Sequence, residues 1–299
     1  MHFNLICTTM TQKHEQLLNT ILSWGQSNND IRAMLLTSSL VNPVAPVDEL
    51  SDLDIEFVVQ DLPTFLQDDS WLANFGDVIA VIVENEDAFD GIHAMRMVFY
   101  EDYSKVDFKL FSIPNFLEEA AKPELPEDWD VGYKVLIDKD GLTANMRPPT
   151  YEATRIKKPS NERFQVKMLD FWWDMVYVAK CLLRDELFYA KYVSEEVMRF
   201  NNLQVILEWY IGMQHDWKIT TNKKGRLFKK YLSPEMWQKA AATFSGSDIE
   251  DNWRALFAYV DLGSEIGPLI AKELGYEYPI ALEQKIRTCL HEMKERPTL

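Results

Sequence analysis

The apolar residues of this 299-residue chain change period once, and the change divides it into two kinds of structure. In the first half they alternate or run in short blocks between turn-forming residues, as strands require. Strand-like runs lie at 32–37, 54–60, 78–84, 94–100, 105–112 and 133–138. An opening helix is expected over 10–25, where Leu17, Leu18, Ile21, Leu22 and Trp24 recur at helical spacing, with short helices over 69–75 and 114–121. Arg147-Pro148-Pro149-Thr150 and Lys157-Lys158-Pro159-Ser160 then break the pattern. Beyond Ser160 the spacing is helical almost throughout. The expected architecture is α+β: a domain over 1–150 around one mixed sheet, then a helical bundle over 151–299, with the active site in the cleft between them.

Stripes and caps add detail to the second half. Met168, Phe171, Trp172, Met175, Ala179, Leu182 and Leu183 line one side of a helix expected over 161–186, and a second is expected over 190–214. Ser233-Pro234 has the form of an N-cap followed by proline at the first helical position. Ser247-x-x-Glu250 reads as a capping box that opens a helix carrying Trp253, Leu256, Phe257 and Val260. The last helix is expected over 280–296, and the Trp and Met residues are assigned to the core.

One charged pattern interrupts the strands. Asp52 and Asp54 head the apolar run Ile55-Glu56-Phe57-Val58-Val59. Residues two apart on a strand share a face, so the two carboxylates repel unless a cation lies between them. A third acid, Asp107, sits in the run Lys105-Val106-Asp107-Phe108-Lys109-Leu110. Three acids on strands suit magnesium, which takes oxygen ligands and shares them with phosphates. Ahead of them a strand ends at Thr37, followed by Ser38 and Ser39 and a loop from Val41 to Ser51. Strand, small hydroxyl pair, loop, Asp-x-Asp and a later Asp are the layout of a nucleotidyltransferase site. Backbone N–H groups and hydroxyls would cradle a triphosphate, and metal held by the acids would align an attacking hydroxyl with the α-phosphorus.

At these residues the chain resembles the aminoglycoside 6-adenylyltransferases, also called streptomycin adenylyltransferases. The matching text is Ser39, Asn42-Pro43, the stretch Asp48 to Asp54, Lys105-Val106-Asp107 and Val135 to Asp140. It continues with Phe171-Trp172, Val178-Ala179-Lys180, Arg184-Asp185-Glu186 and Phe228 to Leu232, so the resemblance spans about residues 15–290. It implies Mg-ATP-dependent adenylylation of an aminoglycoside, at the 6-hydroxyl of the streptidine ring of streptomycin, and hence antibiotic resistance. Where the family pattern reads Gly-Ser-Arg, this chain has Ser38-Ser39-Leu40, which adds a Cβ to the phosphate loop and removes a charged donor. Restoring both residues is expected to tighten nucleotide binding.

Composition narrows the partners. A formal net charge of −16 opposes binding to nucleic acid and favours a polycationic small molecule, although acidity also serves solubility alone. No apolar run reaches 18 residues, so no membrane span is expected, and the stretch Met1 to Cys7 lacks the form of a secretory leader. Cys7, Cys181 and Cys289 form no disulfide or metal motif, which suits a reducing cytoplasm, and His2, His14, His93, His215 and His291 show no metal spacing.

Asp52, Asp54 and Asp107 are thus the candidate metal ligands, and Asp107 the candidate general base, with Asp170 and Glu186 as competing acids. Ser38 and Ser39 are candidates for the phosphates, joined by Lys223 and Arg226 from a basic run and by Lys180, which matches a family position. Asp170, Asp174 and Tyr177 share a helix face and with Glu186 could bind ammonium or guanidinium groups. Asp138 could do so too, or with Asp140 could form a turn before Gly141. Two alternatives stay open: a nucleotidyltransferase with another acceptor, and a nucleotide- or drug-binding protein without turnover. The oligomeric state is not legible.

Overall fold

The computed structural model describes residues 10–297; His2, Cys7 and the stretch read above for a leader lie outside them. The chain divides into two compact units between Ala153 and Thr154.

In the first unit the strands follow the expected runs to within a residue: β1 (Ile31–Thr37), β2 (Leu53–Val59), β3 (Val78–Glu84), β4 (Ala94–Tyr100), β5 (Lys105–Ser112) and β6 (Tyr133–Asp138). They form one mixed sheet in the order β3-β4-β5-β2-β1-β6. The strands β3, β4 and β5 make an antiparallel meander whose last strand docks parallel to β2. Helix α1 (Gln12–Ser27) begins where the Thr11 hydroxyl accepts the N–H of His14. Its apolar stripe joins Ile55, Phe57, Val106 and Phe108 in the main core on one face of the sheet. On the opposite face a smaller core gathers Leu35, Val58, Phe111, Phe116 and Trp129. Short helices α2 (Leu62–Phe65), α3 (Ile113–Ala120) and α4 (Glu127–Asp130) flank the sheet. Alternation puts Asp54, Glu56 and Val58 on one face of β2, so the acids share a face with the smaller core.

The second unit is helical: α5 (Asn161–Leu183), α6 (Leu187–Lys191), a π-helical stretch Tyr192–Leu203 and α7 (Gln204–Gln214) come first. They are followed by α8 (Phe228–Tyr231), α9 (Pro234–Ala241), α10 (Ile249–Leu274) and α11 (Ile280–Lys294). Every residue of the stripe from Met168 to Leu183 is buried. Helix α5 stops three residues short of expectation, because Asp185 turns the chain at φ +56°. The helix expected over 190–214 starts at Leu187 and changes pitch before α7. Ser233 caps α9 as expected, its hydroxyl accepting the Met236 N–H at 3.1 Å. The cap of α10 falls one residue later than read: Asp248, not Ser247, accepts the N–H of Asp251 at 2.9 Å. A carboxylate there makes the same bond as a hydroxyl and adds a favourable charge at the helix N-terminus.

Candidate active site

The parallel pairing of β2 with β5 sets Asp54 beside Asp107, and the β1–β2 pairing sets Thr37 beside Asp54. Asp52, just ahead of β2, lies beside the start of β5. Between Asp52 and Asp107 stands Lys105, its Nζ donating to Asp52 Oδ2 at 3.0 Å and to Asp107 Oδ2 at 2.8 Å. The chain itself thus supplies a cation between Asp52 and Asp107, not between the alternating pair Asp52 and Asp54. Burial works to lower the Lys105 pKa, but hydrogen bonding to Asp107 and Asp52 overcomes it and raises the value.

The charge is only partly answered. Burial, then the neighbouring Asp107, push the Asp54 carboxyl up to about 6, against a hydrogen bond from the Ser38 hydroxyl. Asp107 Oδ1 is buried and has no hydrogen-bond partner among the described residues. Among the described residues no group of three or more Asp, Glu, His or Cys side chains is arranged to hold a metal ion. What the cluster offers is oxygen-donor chemistry and charge: three carboxylates, with a formal excess of two negative charges after Lys105 is counted.

Ser38 opens the loop after β1 with φ +64°, a left-handed backbone that disfavours any side chain but is natural to glycine. The concern raised by the absent glycine is thus located in the backbone itself. The absent arginine is another matter. Leu40 is 6% exposed and packs in the main core with Ile21, Leu36 and Leu53. An arginine in this backbone would enter the core instead of presenting a donor to phosphate, contrary to the expectation for Leu40→Arg. Further along the loop Asn42 Oδ1 accepts the N–H groups of Val44 (2.9 Å) and Ala45 (3.2 Å), which curls the Asn42-Pro43 turn.

Two neighbours on the same face went unassigned in the sequence. Glu56, two residues beyond Asp54, is fully enclosed and accepts the Trp129 Nε1–H at 2.7 Å. Burial pushes its carboxyl up to about 7, against the nearby Lys109 ammonium at 3.7 Å. Lys109 also pairs with Asp128. The alternation that singled out Asp52 and Asp54 extends to Glu56 and, on β5, to Lys105, Asp107 and Lys109, so the signal was present.

Asp138 takes the turn role. Its oxygens accept the Leu142 N–H (2.9 Å), the Thr143 N–H (3.0 Å) and the Thr143 hydroxyl (2.7 Å). Burial opposes, and these bonds outweigh it, so the carboxyl is held below its ordinary range. Asp140 pairs with Arg32 Nε at 2.6 Å.

The remaining candidates belong to the second unit. On α5, Asp170 lies 3.8 Å from Lys167, and Asp174 accepts the Asn202 side chain at 2.9 Å. Burial raises the Asp174 carboxyl above its ordinary value. The Lys180 ammonium rests 5.3 Å from the centre of the Tyr177 ring. Glu186 pairs with Arg184 at 3.9 Å, and Lys223 and Arg226 are exposed. Trp173 departs from the core assignment of the tryptophans: it is 58% exposed, its ring 6.5 Å from that of Tyr177. The helical period could have found it, since its neighbour Trp172 occupies the buried stripe.

A mixed sheet carrying Asp52, Asp54 and Asp107 beside a small-residue loop, followed by a helical unit, is the construction of a nucleotidyltransferase. The chain belongs to the streptomycin adenylyltransferase family, whose model matches residues 11–293, and it is an enzyme of the adenylyltransferase class. It is similar to an aminoglycoside 6-adenylyltransferase of Campylobacter jejuni, 26% identical over 289 residues, covering 95% of this chain and 97% of that one. A second, from Bacillus subtilis (strain 168), is 28% identical over 272 residues, covering 90% and 93%. A third, from Staphylococcus aureus, is 23% identical over 269 residues, covering 89% and 93%. The crystal structure of an aminoglycoside 6-adenyltransferase from Bacillus subtilis aligns over 96% of this chain and all of that one, at 24% identity and a TM-score of 0.47. No helix among the described residues is long and apolar enough to cross a membrane.

Proposed function

We propose that the chain transfers the adenylyl group of ATP, taken as its magnesium complex, to a hydroxyl of an aminoglycoside, and that the acceptor is the 6-hydroxyl of streptomycin. The observation that carries this reading is the pairing of Asp54 with Asp107 across β2 and β5, with an unpartnered buried oxygen on Asp107 among the described residues. The relatives' names supply the acceptor class. Asp52, Asp54 and Asp107 would hold the magnesium, which when bound offsets phosphate charge and orients the reacting groups.

The chain's own residues then have distinct tasks. The Asp107 carboxylate accepts the proton of the attacking hydroxyl. The acceptor's hydroxyl oxygen bonds to the α-phosphorus as the bond from the α-phosphorus to the bridging oxygen breaks, releasing pyrophosphate. Ser38 and Ser39 donate to phosphate oxygens, and the cations Lys180, Lys223 and Arg226 are assigned to the nucleotide. Asp170, Asp174 and Glu186 are assigned to the ammonium and guanidinium groups of the acceptor, and Tyr177 to its ring face. Trp173 joins Tyr177 on the strength of its exposure.

Pyrophosphate release from Mg-ATP, with and without streptomycin, tests the reading. Streptomycin-dependent release is expected, falling by about 10²-fold or more in Asp54→Asn, which removes a principal electrostatic stabiliser. Release that is indifferent to streptomycin but stimulated by another hydroxylated antibiotic would move the acceptor and keep the chemistry.

A further inference from the structure

Lys105 is held by two acids from different parts of the chain, Asp52 and Asp107, and no step of the reaction above uses it. Its ammonium satisfies one oxygen of each. It leaves Asp107 Oδ1 without a partner among the described residues, and it leaves the three-carboxylate cluster with a formal excess of two negative charges. A divalent ion matches that excess and takes oxygen ligands, whereas a single ammonium leaves the excess standing. The Lys105 side chain is 37% exposed, so its four-carbon stem can swing outward while β5 stays paired. Its displacement is a rotamer change and needs no movement of the sheet.

We propose that Lys105 is the built-in counter-ion of this cluster: it occupies the cation's place between Asp52 and Asp107 and yields it to the divalent metal. The inference rests on the metal reading given above and adds a positioning role to it. Metal arriving alone must break two ion pairs and leave the ammonium without its acids. Metal arriving with a triphosphate offers that ammonium new anionic oxygens. Metal and nucleotide therefore bind with positive coupling, and the chain binds metal poorly until nucleotide is present.

Manganese serves as the probe, free Mn²⁺ being counted by electron paramagnetic resonance in the full chain with and without a non-hydrolysable ATP analogue. Without the analogue, Lys105→Met is expected to tighten Mn²⁺ binding by about tenfold, the scale of one or two partly exposed ion pairs. The analogue's enhancement of Mn²⁺ binding should shrink in this variant, and Lys105→Arg should behave as the native chain does. Equal or weaker Mn²⁺ binding in folded Lys105→Met overturns the proposal. Binding of Mn²⁺ to none of the three chains, with or without the analogue, overturns the metal site itself. The native chain gives a second reading that needs no variant. The rate at which acetic anhydride acylates Lys105, followed by mass spectrometry, should rise several-fold on adding Mn²⁺ and fall again with the analogue. A rate unmoved by Mn²⁺ concentrations that saturate the site overturns the exchange.

Discussion

Ser38→Gly sets two effects of the same residue against each other. At φ +64° a side chain costs about 1–2 kcal/mol relative to right-handed backbone. Glycine removes that cost but loses about 0.4–1 kcal/mol through the greater freedom of the unfolded chain. The backbone gain is then roughly 0.5–1 kcal/mol. Against it stands the lost hydrogen bond to Asp54. To an ionised carboxylate such a bond contributes about 1.5–3 kcal/mol, and to a neutral one about 0.5–1.5 kcal/mol. Asp54 changes between these states near pH 6, where its raised carboxyl titrates. A raised carboxyl contributes stability that is present below its unfolded value and is lost as pH rises through 6. Removing the Ser38 hydroxyl raises the carboxyl further and deepens that loss. The variant should therefore stay within about 0.5 kcal/mol of the native chain at pH 5 and fall below it by about 1–2 kcal/mol at pH 8. Thermal unfolding of both proteins at the two pH values, followed by tryptophan fluorescence, measures the difference. Equal destabilisation at both would refute the coupling between Ser38 and Asp54. A gain at pH 8 would show that the hydroxyl contributes less than the backbone strain it brings.

Three further outcomes follow from the same geometry. Leu40→Arg places a guanidinium in the main core and should destabilise the first unit by about 3–5 kcal/mol, visible in urea unfolding; an unchanged midpoint would contradict the packing of Leu40. His93 stacks on Phe89 at 4.2 Å, and burial, then Lys109, lower its pKa to about 4. The unfolded imidazole thus takes up its proton first, so stability present above pH 6.5 is lost on acidification toward pH 4. His93→Phe should abolish up to about 2 kcal/mol of that acid-side loss, and an identical pH profile of melting temperature would count against it. Asp107→Asn should lower pyrophosphate release by about 10²–10⁴-fold and remove the acidic limb of its pH profile. If the limb persists and is lost instead in Asp170→Asn or Glu186→Gln, the base belongs to the second unit.

Much of this protein is decided by periods that any reader of the chain can count. Strand alternation located β1 to β6 to within a residue, and the change to helical spacing after Ser160 separated sheet from bundle. These are local facts, because backbone geometry repeats every two or 3.6 residues wherever neighbours permit it. Asp52, Asp54 and Asp107 were legible for the same reason, as acids set into apolar strands. Strand order was not legible. That β5 lies beside β2, bringing Asp107 to Asp54, depends on pairing between residues more than fifty apart. That pairing sets Lys105 between Asp52 and Asp107, while the burial of Leu40 and the left-handed backbone of Ser38 are set in the loop after β1. Burial, too, is a property of the assembled layers. The apolar run Val78–Glu84 was legible as a strand, but only the fold makes it the sheet edge, with Ile79, Ile82 and Val83 exposed. A residue's period follows from its own stretch of chain, whereas its partners and its access to water depend on distant segments that the fold alone brings alongside.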